Sequence, residues 1–178
     1  MKQPHRISNH RLLRSFAMVI VFAVGALALT VNAAEKREYN YVRTGDRTAH
    51  KTVISIDDVP NHELTQEMGI SNLKYPDSNL GESEQWTYAT NDLIKGSGVH
   101  DGYFIETFTD GSKRYGDYEG TTKTITRVDV SWESTWQGTY KYLGSSGRFK
   151  GIKGAGTYKG RVSSTEAMRE EGHEVVEF

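Results

Sequence analysis

Between Val128 and Tyr142 the sequence alternates strictly with period two. Val128, Val130, Trp132, Trp136, Tyr140 and Tyr142 fall on one side, with Ser134 and Gly138 between them. Arg127, Asp129, Glu133, Gln137 and Lys141 fall on the other. Successive side chains of a strand point to opposite faces, so this stretch is a strand with one apolar and one wet side. Such strands belong to antiparallel sheets.

The rest of the chain reads the same way. Strands are expected at 50–57, 83–94, 99–109, 112–126, 128–142, 148–153, 156–162 and 173–178, with turn residues between them. Two stretches read instead as short helices. One follows Asn61 as N-cap and stops at Gly69; the other runs from Ser163, with Glu166 at capping-box spacing, to Gly172. The expected fold is all-β, an eight-stranded antiparallel up-and-down barrel with one or two short helices. Closure removes exposed edges, which suits a chain with no cysteine to staple it.

Turn chemistry gives a first register. Asp110–Gly111 is a strong hairpin signal. Read as a two-residue turn, it sets Tyr103 opposite Tyr118 and Ile105 opposite Gly116, with Arg114 inward opposite Thr107. The other face of this pair carries Asp117, Glu119 and Lys113, which assigns it to solvent. A four-residue loop at Lys95–Gly98 then brings Tyr88 and Trp86 to the same inner face. The expected interior is Trp86, Tyr88, Tyr103, Ile105, Tyr118, Trp132, Trp136 and Tyr140, candidate ligand-binding residues for a small hydrophobic or aromatic molecule. In this register Asp92 faces Asp101 near the mouth. Two opposed carboxylates form a candidate general acid/base pair.

The segment GRFKGIKGAGTYKG (147–160) has five glycines but no phosphate-binding pattern. GxxxxGK[ST] is absent, and Gly154, Gly156 and Gly160 are spaced one residue too far for a dinucleotide fingerprint. It reads as a hairpin turning at Gly154–Ala155, with Phe149 over Gly160 and Tyr158 over Gly151. The histidines outside the leader have no metal-ligand spacing, and no cofactor motif occurs.

The N-terminus carries Lys2, Arg6, Arg11 and Arg14, then the apolar run Phe16–Val31, then Val31 and Ala33 at cleavage-site spacing. This reads as a secretory signal peptide over 1–33. The apolar run falls short of the ~20 residues that span a bilayer, so no stable membrane anchor is expected after cleavage. Residues 34–49 are expected to be a flexible arm, and 50–178 the barrel. The mature chain keeps 18 Lys and Arg against 23 Asp and Glu, which opposes nucleic-acid binding. The expected location is the periplasm or the exterior.

The stretches GSGVHDGYFIETFTDGS, GRFKGIKGAGTYKG and, upstream, IDDVPNHELTQ resemble the exported bacterial proteins with an allene-oxide-cyclase-like barrel, over roughly residues 50–178. The resemblance implies an eight-stranded barrel with an apolar cavity. In the plant enzymes that cavity steers cyclisation of a fatty-acid epoxide. Three functions follow as alternatives: a carrier of a small hydrophobic or aromatic molecule, an isomerase or cyclase acting on an unsaturated lipid epoxide, and a structural envelope protein that forms homo-oligomers.

Overall fold

The computed structural model describes residues 35–178; the leader assigned to 1–33 lies outside them. Eight strands follow in order: β1 (Lys36–Ile56), β2 (His62–Lys74), β3 (Glu82–Ile94), β4 (Ser97–Phe108), β5 (Lys113–Thr126), β6 (Trp132–Ser146), β7 (Lys153–Ser163) and β8 (Arg169–Glu177). Each pairs antiparallel with the next, and β8 returns to β1, closing an up-and-down barrel.

The eight strands differ in part from those expected. Residues 36–49 are no flexible arm; they form the first half of β1, and Lys36–Thr44 pairs with β8. The stretch after Asn61 is no helix but β2, paired along its length with β1 and β3. Asn61 has a left-handed φ of 61° and closes a turn. Two ladders outweigh a local helical preference. At Ser163 the capping contacts do form: its Oγ accepts from the backbone N–H of Thr165 and Glu166. No helix follows, because β8 begins at Arg169 and pairs on both edges.

Two turns reset the register. β3 and β4 meet through a two-residue turn, with Lys95 and Gly96 at φ 54° and 75°, as a type I′ turn requires. Ile94 therefore faces Ser97, not Val99. β4 and β5 meet through three residues, Thr109–Asp110–Gly111, with Gly111 at φ 81°. The N–H of Phe108 donates to the carbonyl of Ser112 at 2.9 Å. That third residue moves the pairing by one, and a one-residue slip reverses a strand's faces. Tyr103 thus faces Asp117, and Phe104 faces Gly116. His100, Gly102, Phe104, Glu106 and Phe108 turn inward.

The glycine-rich segment is not a hairpin. Gly147–Phe149 is a single 3₁₀ turn that drops Phe149 into one end of the barrel. Phe149 packs on Phe108 there, ring centroids 4.6 Å apart, with Ile152 and Leu80 buried in the same cluster. β7 then pairs with β6, setting Tyr140 opposite Gly156 and Trp136 opposite Gly160. Aromatics do lie over glycines, with other partners than expected: Trp136 over Gly160, Tyr140 over Gly156, Phe104 over Gly116 and Tyr41 over Gly172. Each ring lies flat across the neighbouring strand, where a β-carbon would collide with it. Gly156→Ala should therefore lower stability by about 1–3 kcal/mol in urea denaturation. Gly144→Ala, whose new methyl group meets nothing nearer than Tyr115 at 3.8 Å, should change it by less than about 0.5 kcal/mol. Equal losses at the two positions would contradict this packing.

Candidate functional site

The register decides what lies inside. Tyr118, Trp136 and Tyr140 line the interior as the alternation of β5 and β6 indicates. Trp86, Tyr88, Tyr103 and Ile105 sit together on the outer wall instead, with Tyr88 43% and Tyr103 61% exposed. Trp132 begins β6 at the barrel end and is 38% exposed. Asp92 faces Val99 and Asp101 faces Thr90, both on the outside, so they form no interior acid/base pair. Asp92 Oδ1 instead lies 2.6 Å from His62 Nε2, whose Nδ1 is 2.6 Å from Asp58 Oδ1.

The interior holds charge. Arg114, on β5, is fully buried. Its Nε and Nη2 donate to Glu106 Oε2 on β4 at 2.9 and 2.7 Å, and its Nη1 donates to Glu174 Oε1 on β8 at 2.7 Å. It also donates to the Tyr75 hydroxyl, which donates in turn to Glu106 at 2.7 Å. Ser83 completes Glu106; Tyr140 and Tyr142 donate to Glu174. The rings of Tyr142, Phe108, Phe149 and Tyr75 surround the guanidinium, 4.8–5.3 Å from Cζ to the ring centres. Charges so far from water persist only when paired and hydrogen-bonded, and here every partner is supplied. Burial pushes the hydroxyls of Tyr75, Tyr140 and Tyr142 well above the usual tyrosine range, so they stay protonated donors.

Above this layer is a cavity of about 530 Å³. Tyr41, Tyr118, Trp136, Tyr140 and Tyr158 supply aromatic wall. Glu170 accepts from Trp136 Nε1 at 2.6 Å and faces Arg43 Nη1 at 3.4 Å. Buried His100 sits between Thr122, 2.9 Å from Nδ1, and the Tyr158 hydroxyl, 2.7 Å from Nε2. That hydroxyl donates to the Glu119 carbonyl at 3.1 Å. Since the Tyr158 hydroxyl donates to Glu119, Nε2–H donates to Tyr158, and burial, which lowers His100 below the usual histidine value, favours the neutral ring with Nδ1 accepting from Thr122. The mouth lies where β1 leaves β8: beyond Thr44 its ladder continues with β2 alone. Gly45 and Asp46 flank the mouth on β1, and Ala167 and Met168 line it from the β7–β8 loop. Among the described residues no three His, Asp or Glu side chains converge as a metal site.

Sequence reasoning missed Arg43, His100, Glu106, Glu170 and Glu174. For Arg43 a signal was present: Tyr39, Tyr41 and Arg43 alternate, as do Glu170, Gly172, Glu174 and Val176. For Glu106 and His100 nothing short of the correct turn length would serve.

No protein-family model and no curated protein sequence matches the chain. Among solved structures it is similar to a pterocarpan synthase dirigent protein. That similarity has 11% identity and a TM-score of 0.30, over 86% of this chain and 97% of the other. A likeness so loose carries no residue or activity across.

Two predictions follow from the charges. Arg114→Met should lower stability by about 3–5 kcal/mol, because it strands two buried carboxylates. Adding Glu106→Gln and Glu174→Gln should restore much of the loss; a neutral single variant would contradict the clamp. The two histidines should titrate in opposite directions around the ordinary value of about 6.5. The bonds to Asp58 and then Asp92 raise His62, so its stabilisation is complete below that value and fades as pH rises through its folded pKa. Burial lowers His100, so the fold loses stability as pH falls below about 6.5. Ring-proton NMR titration reads both; a shared midpoint would contradict the assignment.

Proposed function

We propose that this protein is an exported barrel that holds a small aromatic or hydrophobic molecule with polar groups. The observation that carries this reading is the cavity of about 530 Å³, within the range of small-molecule sites. A barrel built only as a structural unit would fill that space with side chains. Aromatic walls take up apolar area, while His100, Gln85, Asn91 and Arg43 supply hydrogen bonds that fix orientation. The leader-like N-terminus supports export to the periplasm or beyond. The allene-oxide-cyclase-like resemblance supports the reading at the level of the eight-stranded barrel. The cyclase alternative keeps the resemblance but loses the Asp92–Asp101 pair that would have supplied its acid and base.

The test is fluorescence of the neutral probe N-phenyl-1-naphthylamine with the mature chain. Emission should rise on binding and should fall away in Ala89→Trp, which fills the cavity from β3 while thermal unfolding confirms the fold. No binding by the natural chain, or undiminished binding by the filled variant, would overturn the proposal.

A further inference from the structure

We infer that the molecule this cavity takes is a small organic cation, an aryl or alkyl ammonium that also carries a hydroxyl or carbonyl oxygen. This rests on the cavity reading above and deepens it.

The first ground is charge. Five carboxylates line the cavity, those of Asp46, Glu67, Glu106, Glu170 and Glu174, against one guanidinium group, Arg43. That group and Arg114, in the layer beneath, are both already engaged. Arg114 is held between Glu106 and Glu174, and Arg43 pairs with Glu170. His100 adds no positive charge near neutral pH, since burial lowers it. Two carboxylates remain on the β1–β2 side of the mouth. Glu67 accepts from the Thr48 hydroxyl at 2.7 Å, and its nearest cation is Lys51 at 3.7 Å, half exposed. Asp46 has no ion-pair partner within 4 Å among the described residues. Its Oδ1 hangs over Gly69, where any side chain would collide with it.

The second ground is the wall. The rings of Tyr41, Tyr118, Trp136, Tyr140 and Tyr158 border the same space. Aromatic faces are negative and attract cations, Trp most strongly. An anion entering here would meet ring faces and an excess of carboxylates together. A neutral hydrocarbon would leave Asp46 without a partner. An ammonium group uses both features.

The third ground is a donor that borders the space. Gln85 lines the cavity, and its Oε1 accepts from Arg43 Nη1 at 3.4 Å. Its amide nitrogen is thereby left as the donor toward the ligand, and an oxygen there would answer it. Hence the class carries an acceptor as well as a positive charge.

The test uses three probes of matched shape: tyramine, a cation; 4-ethylphenol, neutral; and 4-hydroxyphenylacetate, an anion. Isothermal titration calorimetry on the mature chain should give tyramine at least about tenfold tighter binding than 4-ethylphenol, with the anion weakest. Asp46→Asn with Glu67→Gln should bring tyramine to within about threefold of 4-ethylphenol and leave 4-ethylphenol unchanged. Retained 4-ethylphenol binding also certifies a folded cavity; Asp46→Asn alone serves if the double variant does not fold. Equal affinity for the three probes, or preference for the anion, would overturn the inference and leave the cavity reading intact. Binding of none of the three, nor of the naphthylamine probe, would overturn both.

Discussion

One guanidinium group at the centre of the barrel organises everything around it. Arg114 is reached from β4 by Glu106, from β8 by Glu174 and from the end of β2 by Tyr75. It therefore ties the β4–β5 hairpin to β8 and to the end of β2, neither of which neighbours that hairpin in the sheet. A barrel without disulfides has only its ladders and its interior to hold its shape. Here the interior contributes direction as well as area: carboxylates, hydroxyls and guanidinium each have a fixed partner, and the ring faces close over them. Breaking such a set is far more damaging than never having had it. That asymmetry makes the layer a floor, above which a cavity can persist.

The cavity persists for a second reason. Rings on β1, β4, β6 and β7 lie down over glycines of the adjoining strands instead of reaching across the barrel. The wall takes up the aromatic bulk, and the centre stays clear. The same glycines leave the strands free to curve tightly. The mouth comes from one local event, the Gly45–Asp46 irregularity where β1 parts from β8. Floor, wall and mouth thus come from three separate devices in the sequence.

Much of this could be read from the residues, and the failures share a cause. The alternation of β5 and β6 put Tyr118, Trp136 and Tyr140 inside, as found. The pairing of aromatics with glycines was legible as a rule, though its partners depend on register. The face of β4 was not legible, because a three-residue and a two-residue turn at Asp110–Gly111 look alike in sequence. The two-residue turn puts Arg114 inside, as found, but opposite Thr107 and with Glu106 on the wet face; in the structure Glu106 is the inward partner of Arg114. That one slip also carried Trp86 and Tyr88 to the wrong side. β2 was not legible because Asn61 as a cap and Gly69 as a stop suit a helical turn until the ladders on both edges are known.

The account stands on which side of β3 and β4 faces inward. The natural chain has no cysteine, so single cysteines report this cleanly. Ser83→Cys replaces a buried, near-isosteric side chain on the inner face of β3, and Tyr88→Cys replaces an exposed one on the outer face. Reaction with a maleimide reagent under native conditions should be fast at position 88, and at position 83 should wait for denaturant. Fast labelling at 83 with protection at 88 would contradict the register, and with it the charged interior and the cavity.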